Sequence, residues 1–276
     1  EKTEIVEIKP DYGLKIENYV VSGKPGSGDQ SYIFSAPFSQ NAIVTGTLPS
    51  DKPFYTIKGS VTDPHAGFVQ YLTQALKKYQ IVVANEKSFK PSKDSLKVIF
   101  KHVSPKLSEI VRVTNQRSVN IFAEGLLLAL DTTQSTFVSY ENAVKTMLGY
   151  YHKLGLKTEG VNIYDGSGLS ASNSLHSSFV TEALVKISKQ PYFDEYFNTL
   201  AVAGKSGTLE RLCKGTAAEN NLRGKSGNIN NVTTYCGYVT NKEGKLLAFS
   251  FMVNNFSVPN GIMIAKMEKV LVALAE

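Results

Sequence analysis

The sequence predicts an α+β fold, an antiparallel sheet flanked by helices and preceded by a β-rich segment. Three observations predict it. Val232–Thr240 is β-branched and aromatic, with Val232, Thr234, Cys236 and Tyr238 on one face and Thr233, Tyr235 and Val239 on the other. Both faces read as covered and the strand as central. The turn Asn241-Lys-Glu-Gly244 joins it to an antiparallel partner, Lys245–Asn254. Around this hairpin, apolar residues recur at helical spacing, while residues 1–59 alternate short β-prone runs with turn material.

In chain order, the short runs Asn18–Ser22, Ser31–Ser35, Ala42–Thr45 and Phe54–Ile57 read as strands, and Lys24-Pro-Gly-Ser-Gly-Asp29 as the clearest turn. Asp63-Pro64 is a helix start, an N-cap followed by proline at the first helical position. Phe68, Leu72, Ala75, Leu76 and Tyr79 form that helix's predicted inner face, and Ile81–Ala84 reads as a buried strand. Leu107, Ile110, Val111 and Thr114 mark a second helix ending near Asn115-Gln116. A third has Ala123, Leu126, Leu127 and Leu130 inward, so Ser118 and Asn120 fall at a helix–helix corner. Helix Tyr140–Lys153 buries Val144, Met147, Leu148 and Tyr151, and Gly155 suits its C-cap. Val180, Leu184 and Ile187 mark a fifth helix, Pro191–Phe197 is an aromatic core cluster, and Pro259–Leu274 is a closing helix. Met263, Met267, Val270, Leu271 and Leu274 are its predicted inner face, packed on the sheet.

Composition bounds the function. With 276 residues, 42% hydrophobic and 20% charged, the chain is long enough for one large domain or one domain plus a smaller one. No run of 18 apolar residues exists to span a bilayer as a helix. The chain opens Glu1-Lys-Thr-Glu-Ile, which reads as a processed or truncated start. A net charge of +6 permits an anionic partner, but the lysines are scattered, with Lys77-Lys78 an isolated pair, so nucleic acid is not a predicted partner. His65, His102, His152 and His176 show no metal spacing, so no metal is predicted. Cys213 and Cys236 could bridge, although a cysteine inside a central strand reads more simply as a small core residue.

Two short constellations carry chemistry. Lys225-Ser226-Gly227 precedes the hairpin: a lysine there can lean over a cleft, Ser226 can hold a carboxylate, and Gly227 lets a ligand backbone approach. Taken alone, the triplet equally reads as a polar turn, and Lys205-Ser206-Gly207 repeats it without a long hydrophobic strand behind it. Ser118-Val119-Asn120 could likewise be a plain helix cap. Together they match the Ser-x-Asn and Lys-Ser/Thr-Gly elements of penicillin-recognising serine enzymes. His102-Val-Ser-Pro105, Leu107-Ser-Glu-Ile110, Ala123-Glu124, Asp165-Gly-Ser-Gly-Leu-Ser170, Ala203-Gly204 with Gly207-Thr-Leu209, and Val253-Asn-Asn255 accompany them in order. From about Val61 onward, the series resembles the D-alanyl-D-alanine carboxypeptidase/endopeptidase family of penicillin-binding proteins, peptidase family S13.

The resemblance implies a transpeptidase-like catalytic domain, shared with serine β-lactamases, over residues 60–276. Residues 1–59 would be the remnant of a β-rich inserted domain, or else an ordinary β module. It implies acyl transfer on peptidoglycan stem peptides, binding of β-lactam antibiotics, a location in the periplasm or elsewhere outside the cytoplasm, and no cofactor. Ser118 and Lys225 would relay a proton to the leaving D-alanine, within about 3 to 4 Å of one another. Asn120 would orient the substrate amide or the base lysine, Ser226 would bind the terminal carboxylate with help from the Lys225 charge, and Gly227 would let the ligand backbone come close. The N–H of Asn228 would be an oxyanion donor. The glycine loop at Asp165 would be a wall of the site. Two positions depart from the family's pattern, Ala171 where arginine is usual and Ser206 where aspartate is common.

A third departure matters more. No lysine in this sequence has a serine three positions before it, so the Ser-x-x-Lys nucleophile motif is missing. The expectation is an inactive fragment of such an enzyme. The alternative is a catalytically dead relative kept as a peptidoglycan-binding or scaffold protein. A soluble β-lactamase fits the series less well. Without a nucleophile helix, an open apolar face is expected beside Ser118 and Lys225, covered by a second copy or by a complementing N-terminal segment.

Overall fold

A computed structural model describes residues 1–9, 11–83, 97–98, 100–131 and 137–276. The chain forms two compact units, residues 1–99 and 100–276.

In the first unit, β1 (Lys15–Gly23), β2 (Gln30–Ser35) and β3 (Asn41–Pro49) form a sheet in the order β1-β3-β2. β1 runs parallel and β2 antiparallel to β3. Alternation drives it: Val20, Ala42 and Val44 are buried on one face, while Tyr19, Tyr32, Phe34 and Ile43 are exposed on the other. Helix α1 (Pro64–Lys78) begins as its sequence dictates, with the Asp63 carboxylate accepting from the Ala66 N–H at 2.9 Å.

Three expectations fail here. Phe54–Ile57 is not a strand. The predicted inner face of α1 is largely open, with Phe68 65% and Tyr79 80% exposed, because no described element of this unit covers that stripe. Ile81–Val83 is exposed and has no strand partner among the described residues, and Ala84 lies outside them. An apolar run becomes a strand only when an edge is available to pair with it.

In the second unit, β4 (Ala201–Val202), β5 (Arg223–Ile229), β6 (Val232–Thr240) and β7 (Leu246–Asn254) form an antiparallel sheet in that order. β6 is internal, as its two apolar faces predict. Tyr235 and Val239 join Met267 and Leu271 of α7 (Asn260–Ala273) in the main core. On the opposite face, Tyr238 packs with Leu184 of α5 (Ser177–Ile187) and with Phe193 and Phe197 of α6 (Phe193–Thr199). The Tyr238 ring meets Phe193 and Phe197 edge-on at 5.3 and 5.7 Å, and its hydroxyl donates to the Leu184 carbonyl at 2.8 Å. Burying such a ring with its hydroxyl satisfied stabilises the unit by roughly 2–3 kcal/mol. Val270, expected inward, is instead 48% exposed. The sheet takes up only the stripe through Met267 and Leu271.

The remaining helices are α2 (Leu107–Arg117), α3 (Asn120–Leu128) and α4 (Tyr140–Lys153). α4 spans the predicted residues, and Gly155 follows it at φ +80°. Both cysteines are free thiols.

Candidate active site

The site is built on the corner between α2 and α3. Ser118 caps α2 in the left-handed conformation, φ 53° and ψ 49°, and donates its N–H to the Thr114 carbonyl at 2.9 Å. A non-glycine residue there costs about 1–2 kcal/mol, so neighbouring contacts must hold the turn. They are visible one turn back. Asn115 Nδ2 donates to Thr199 Oγ1 at 2.7 Å, and Gln116 Nε2 donates to the Leu200 carbonyl at 2.7 Å. The end of α2 is thereby fastened to the chain entering β4. Gly207 closes the packing from the other side. A Cβ on it would lie 2.6 Å from the Gln116 carbonyl oxygen, and its φ is +61°.

Strand β5 supplies the second half. The sequence placed Lys225-Ser226-Gly227 merely ahead of the hairpin, and the triplet proves to lie within a strand. The two-residue turn Asn230-Asn231, with Asn231 at φ 56°, folds β5 back along β6 so that Lys225 pairs with Cys236 and Asn228 with Thr233. Glycines allow this close contact. A Cβ on Gly224 would meet the Cys236 carbonyl at 2.4 Å, and one on Gly227 would meet Thr234 Oγ1 at 2.6 Å. β4 pairs only with Arg223 and Gly224, so among the described residues the outer edge of β5 from Lys225 onward carries no strand.

Lys225 Nζ donates to Ser118 Oγ at 2.8 Å, closing a span of 107 positions. It also donates to the Ser226 carbonyl. Burial pushes the Lys225 ammonium below the ordinary lysine range, with the neighbouring Cys236 opposing the shift. Ser226 Oγ donates to Thr208 Oγ1 at 2.8 Å. Asn120 stands exposed in the first turn of α3 and makes no side-chain hydrogen bond among the described residues. Asn228 is exposed on β5.

The glycine loop is tied to the same corner. Glu124 of α3 accepts from the N–H groups of Gly166 (2.9 Å) and Ser167 (3.1 Å). Asp165 accepts within its own loop from the Gly168 and Ser170 N–H groups and from Asn173 Nδ2, at 2.8, 2.6 and 2.8 Å. Burial raises both carboxyls. The bonds to Glu124 from Ser167, Gly166 and Tyr140, and those to Asp165 from Asn173 and the loop amides, outweigh it and hold each below its ordinary value. A Cβ on Gly166 would lie 2.4 Å from the Ala123 carbonyl, which explains the glycine.

Sequence reasoning missed Thr208 and the Asn115–Gln116 fastening. The signal for Thr208 was present, since it follows the second Lys-Ser-Gly triplet. Lys205 of that triplet is exposed, and Ser206 Oγ merely accepts from the Val202 N–H at 3.1 Å. The turn after it nevertheless reaches the site.

Comparison with known proteins agrees with this architecture. A D-alanyl-D-alanine carboxypeptidase of an Actinomadura species is 30% identical over 271 residues, covering 95% of this chain and 50% of that protein. A carboxypeptidase of Mycolicibacterium smegmatis is 30% identical over 158 residues, covering 55% of this chain and 34% of that protein. The chain thus spans about half or less of the curated relatives it matches. The crystal structure of penicillin binding protein 4 of Haemophilus influenzae, complexed with a β-lactam, shares the fold. Its TM-score is 0.78 at 18% identity, over 97% of this chain and 64% of that one. The model of the D-Ala-D-Ala carboxypeptidase 3 (S13) family matches residues 5–274. Carrying that match over nearly its whole length, the chain belongs to the D-Ala-D-Ala carboxypeptidase 3 (S13) family.

Proposed function

We propose that residues 1–276 carry the second and third motif elements of a serine D-Ala-D-Ala carboxypeptidase/endopeptidase site acting on peptidoglycan stem peptides outside the cytoplasm. The observation that carries this reading is the hydrogen bond from Lys225 Nζ to Ser118 Oγ. In the reaction, a serine hydroxyl adds to the carbonyl of the penultimate D-alanine, and its proton passes to a base. As the C–N bond breaks, Ser118 gives its proton to the departing amine and is reprotonated by Lys225, which recovers the proton held by the base. Water then hydrolyses the ester. Burial makes Lys225 a readier proton donor than a solvated lysine. Asn120 orients the substrate amide, Ser226 with the Lys225 charge receives the carboxylate end, Gly227 lets the ligand backbone approach, and the Asn228 N–H donates to the oxyanion. The uncovered edge of β5 suits an extended peptide laid alongside it as a further strand.

The nucleophile must come from outside these residues, because no Ser-x-x-Lys occurs among them. Ser118 has no lysine one helical turn away to act as its base. Residues 1–59 are the remnant of a β-rich insertion, and 60–276 belong to the catalytic domain. The groove between α2 and α3 is the surface the nucleophile-bearing helix, or a second copy, would cover. Ligand recognition by the remaining groups survives as weak, reversible binding of D-alanyl-D-alanine ends and β-lactams.

Intact-mass measurement after incubation of residues 1–276 with a labelled penicillin tests this. No adduct is expected, while saturable binding is lost in Lys225→Ala. A one-to-one adduct mapped to any serine of the chain overturns the missing-nucleophile argument. Absence of any binding favours instead the dead relative, with a scaffold role.

A further inference from the structure

We propose that Thr208 supplies the second hydroxyl of the carboxylate subsite, paired with Ser226, and so helps select ligands that end in a free carboxylate. The inference rests on the reading of Ser226 given above.

Thr208 is positioned by its backbone neighbours. Leu209 beside it is 1% exposed in the main core, and Gly207 on its other side is pressed against the Gln116 carbonyl. The Gly204 N–H donates to the Leu209 carbonyl at 3.0 Å and the Ser206 N–H to the Val202 carbonyl at 3.0 Å, closing the turn. The Thr208 side chain itself is exposed and, among the described residues, accepts from one hydroxyl, Ser226 Oγ at 2.8 Å. An exposed hydroxyl pair contributes little to folding, because water replaces each bond at small cost. Its placement matters for what it can offer a ligand.

Each hydroxyl has one hydrogen to give and two lone pairs. Ser226 gives its hydrogen to Thr208, which leaves the Thr208 hydrogen as the free donor of the pair. When a carboxylate arrives, Ser226 rotates toward one oxygen and Thr208 donates to the other. The Lys225 ammonium beside Ser226 supplies the positive charge. Two aligned donors next to a cation favour an anion over a neutral amide, because bonds to a charged acceptor are stronger.

The test titrates residues 1–276 by NMR with N-acetyl-D-alanyl-D-alanine and with its C-terminal amide. The wild type should bind the acid more tightly than the amide. Thr208→Val should weaken acid binding about three- to tenfold and leave amide binding unchanged, and Thr208→Ser should restore the preference. Equal weakening of both probes by Thr208→Val marks a structural role and overturns the inference. So does an unchanged acid-to-amide ratio in Thr208→Val when Ser226→Ala abolishes it, and in that case the reading of Ser226 stands. No acid preference in the wild type removes the reading of Ser226 and the inference together. Circular dichroism of each variant confirms that the fold is kept, and should Thr208→Val unfold, Thr208→Ala is measured by the same criteria.

Discussion

Gln116 donates its side-chain amide to the Leu200 carbonyl at 2.7 Å, two residues before Ser118 turns into the left-handed conformation. That bond fixes the direction in which the corner of α2 and α3 presents its serine to Lys225. Replacing Gln116 by Leu removes the donor and leaves a buried carbonyl unpaired, since Leu200 is 2% exposed. The expected loss is about 1–3 kcal/mol, read as a shift in the urea midpoint. Gly207→Ala should cost a similar amount, about 2 kcal/mol, because it adds a Cβ against the same helix end at positive φ.

Lys225 costs the folded state stability. Its folded pKa lies below the unfolded value, so the charged form is penalised in the folded state. The penalty is fully present below the lowered folded value and fades as pH rises through the window between that value and 10.5. Lys225→Met should therefore keep or slightly raise the melting temperature at pH 7, by about 0–3 °C, while abolishing ligand binding. The melting-temperature difference from wild type should shrink as pH approaches 10. A large loss of stability at pH 7 would contradict the assignment.

The Glu124 and Asp165 carboxylates act in the opposite direction. Both have lowered folded values, so their stabilisation is complete above the unfolded values of 4.5 and 3.8 and is lost as pH falls through the folded ones. Glu124→Gln should destabilise by about 1 kcal/mol at pH 7, discounted for partial exposure, and by less at pH 3. Denaturant titrations at the two pH values measure it. Hydrogen exchange at the Gly166 and Ser167 amides should accelerate in the variant.

The groove between α2 and α3 is apolar and open, a cavity of about 560 Å³ lined by residues including Leu107, Ile110, Val113, Ile121, Phe122 and Leu126. Ile121 is 75% exposed there, three residues after Ser118. Such a surface drives association. Residues 1–276 should show concentration-dependent association in sedimentation velocity, reduced in Ile121→Glu. A monomer at all concentrations would remove the second copy as the groove's cover.

Cys213 and Cys236 should both resist modification. Burial, with Glu268 nearby, pushes the Cys213 thiol up to about 11, and burial raises the Cys236 thiol against the opposing charge of Lys225. Thiolate is the reactive form. A disulfide-exchange reagent at pH 8 should find no fast thiol in the native protein and two in guanidinium chloride.

Where the information is short-range, the sequence was sufficient. α4 runs Tyr140–Lys153 as its period and caps require, β6 is central as its two apolar faces require, and Ser118 falls between two helices as the polar break requires. Capping and periodicity act within one or two turns of chain, so they can be read locally. The ordered motifs led to the family and to the meeting of Ser118 with Lys225. What only the tertiary structure decided is the placement of residues whose local preference is weak. Arg223–Ile229 holds two glycines, a serine and an asparagine, a poor strand by composition, and it is extended because the free edge of β6 pairs with all seven residues. Val270 and Phe68 lie on apolar stripes, yet both are exposed, because a helix has more apolar faces than its neighbours cover. Thr208 reaches Ser226 because Gly207 and Leu209 pack its turn against α2 and the core, contacts made across the chain that no local pattern records.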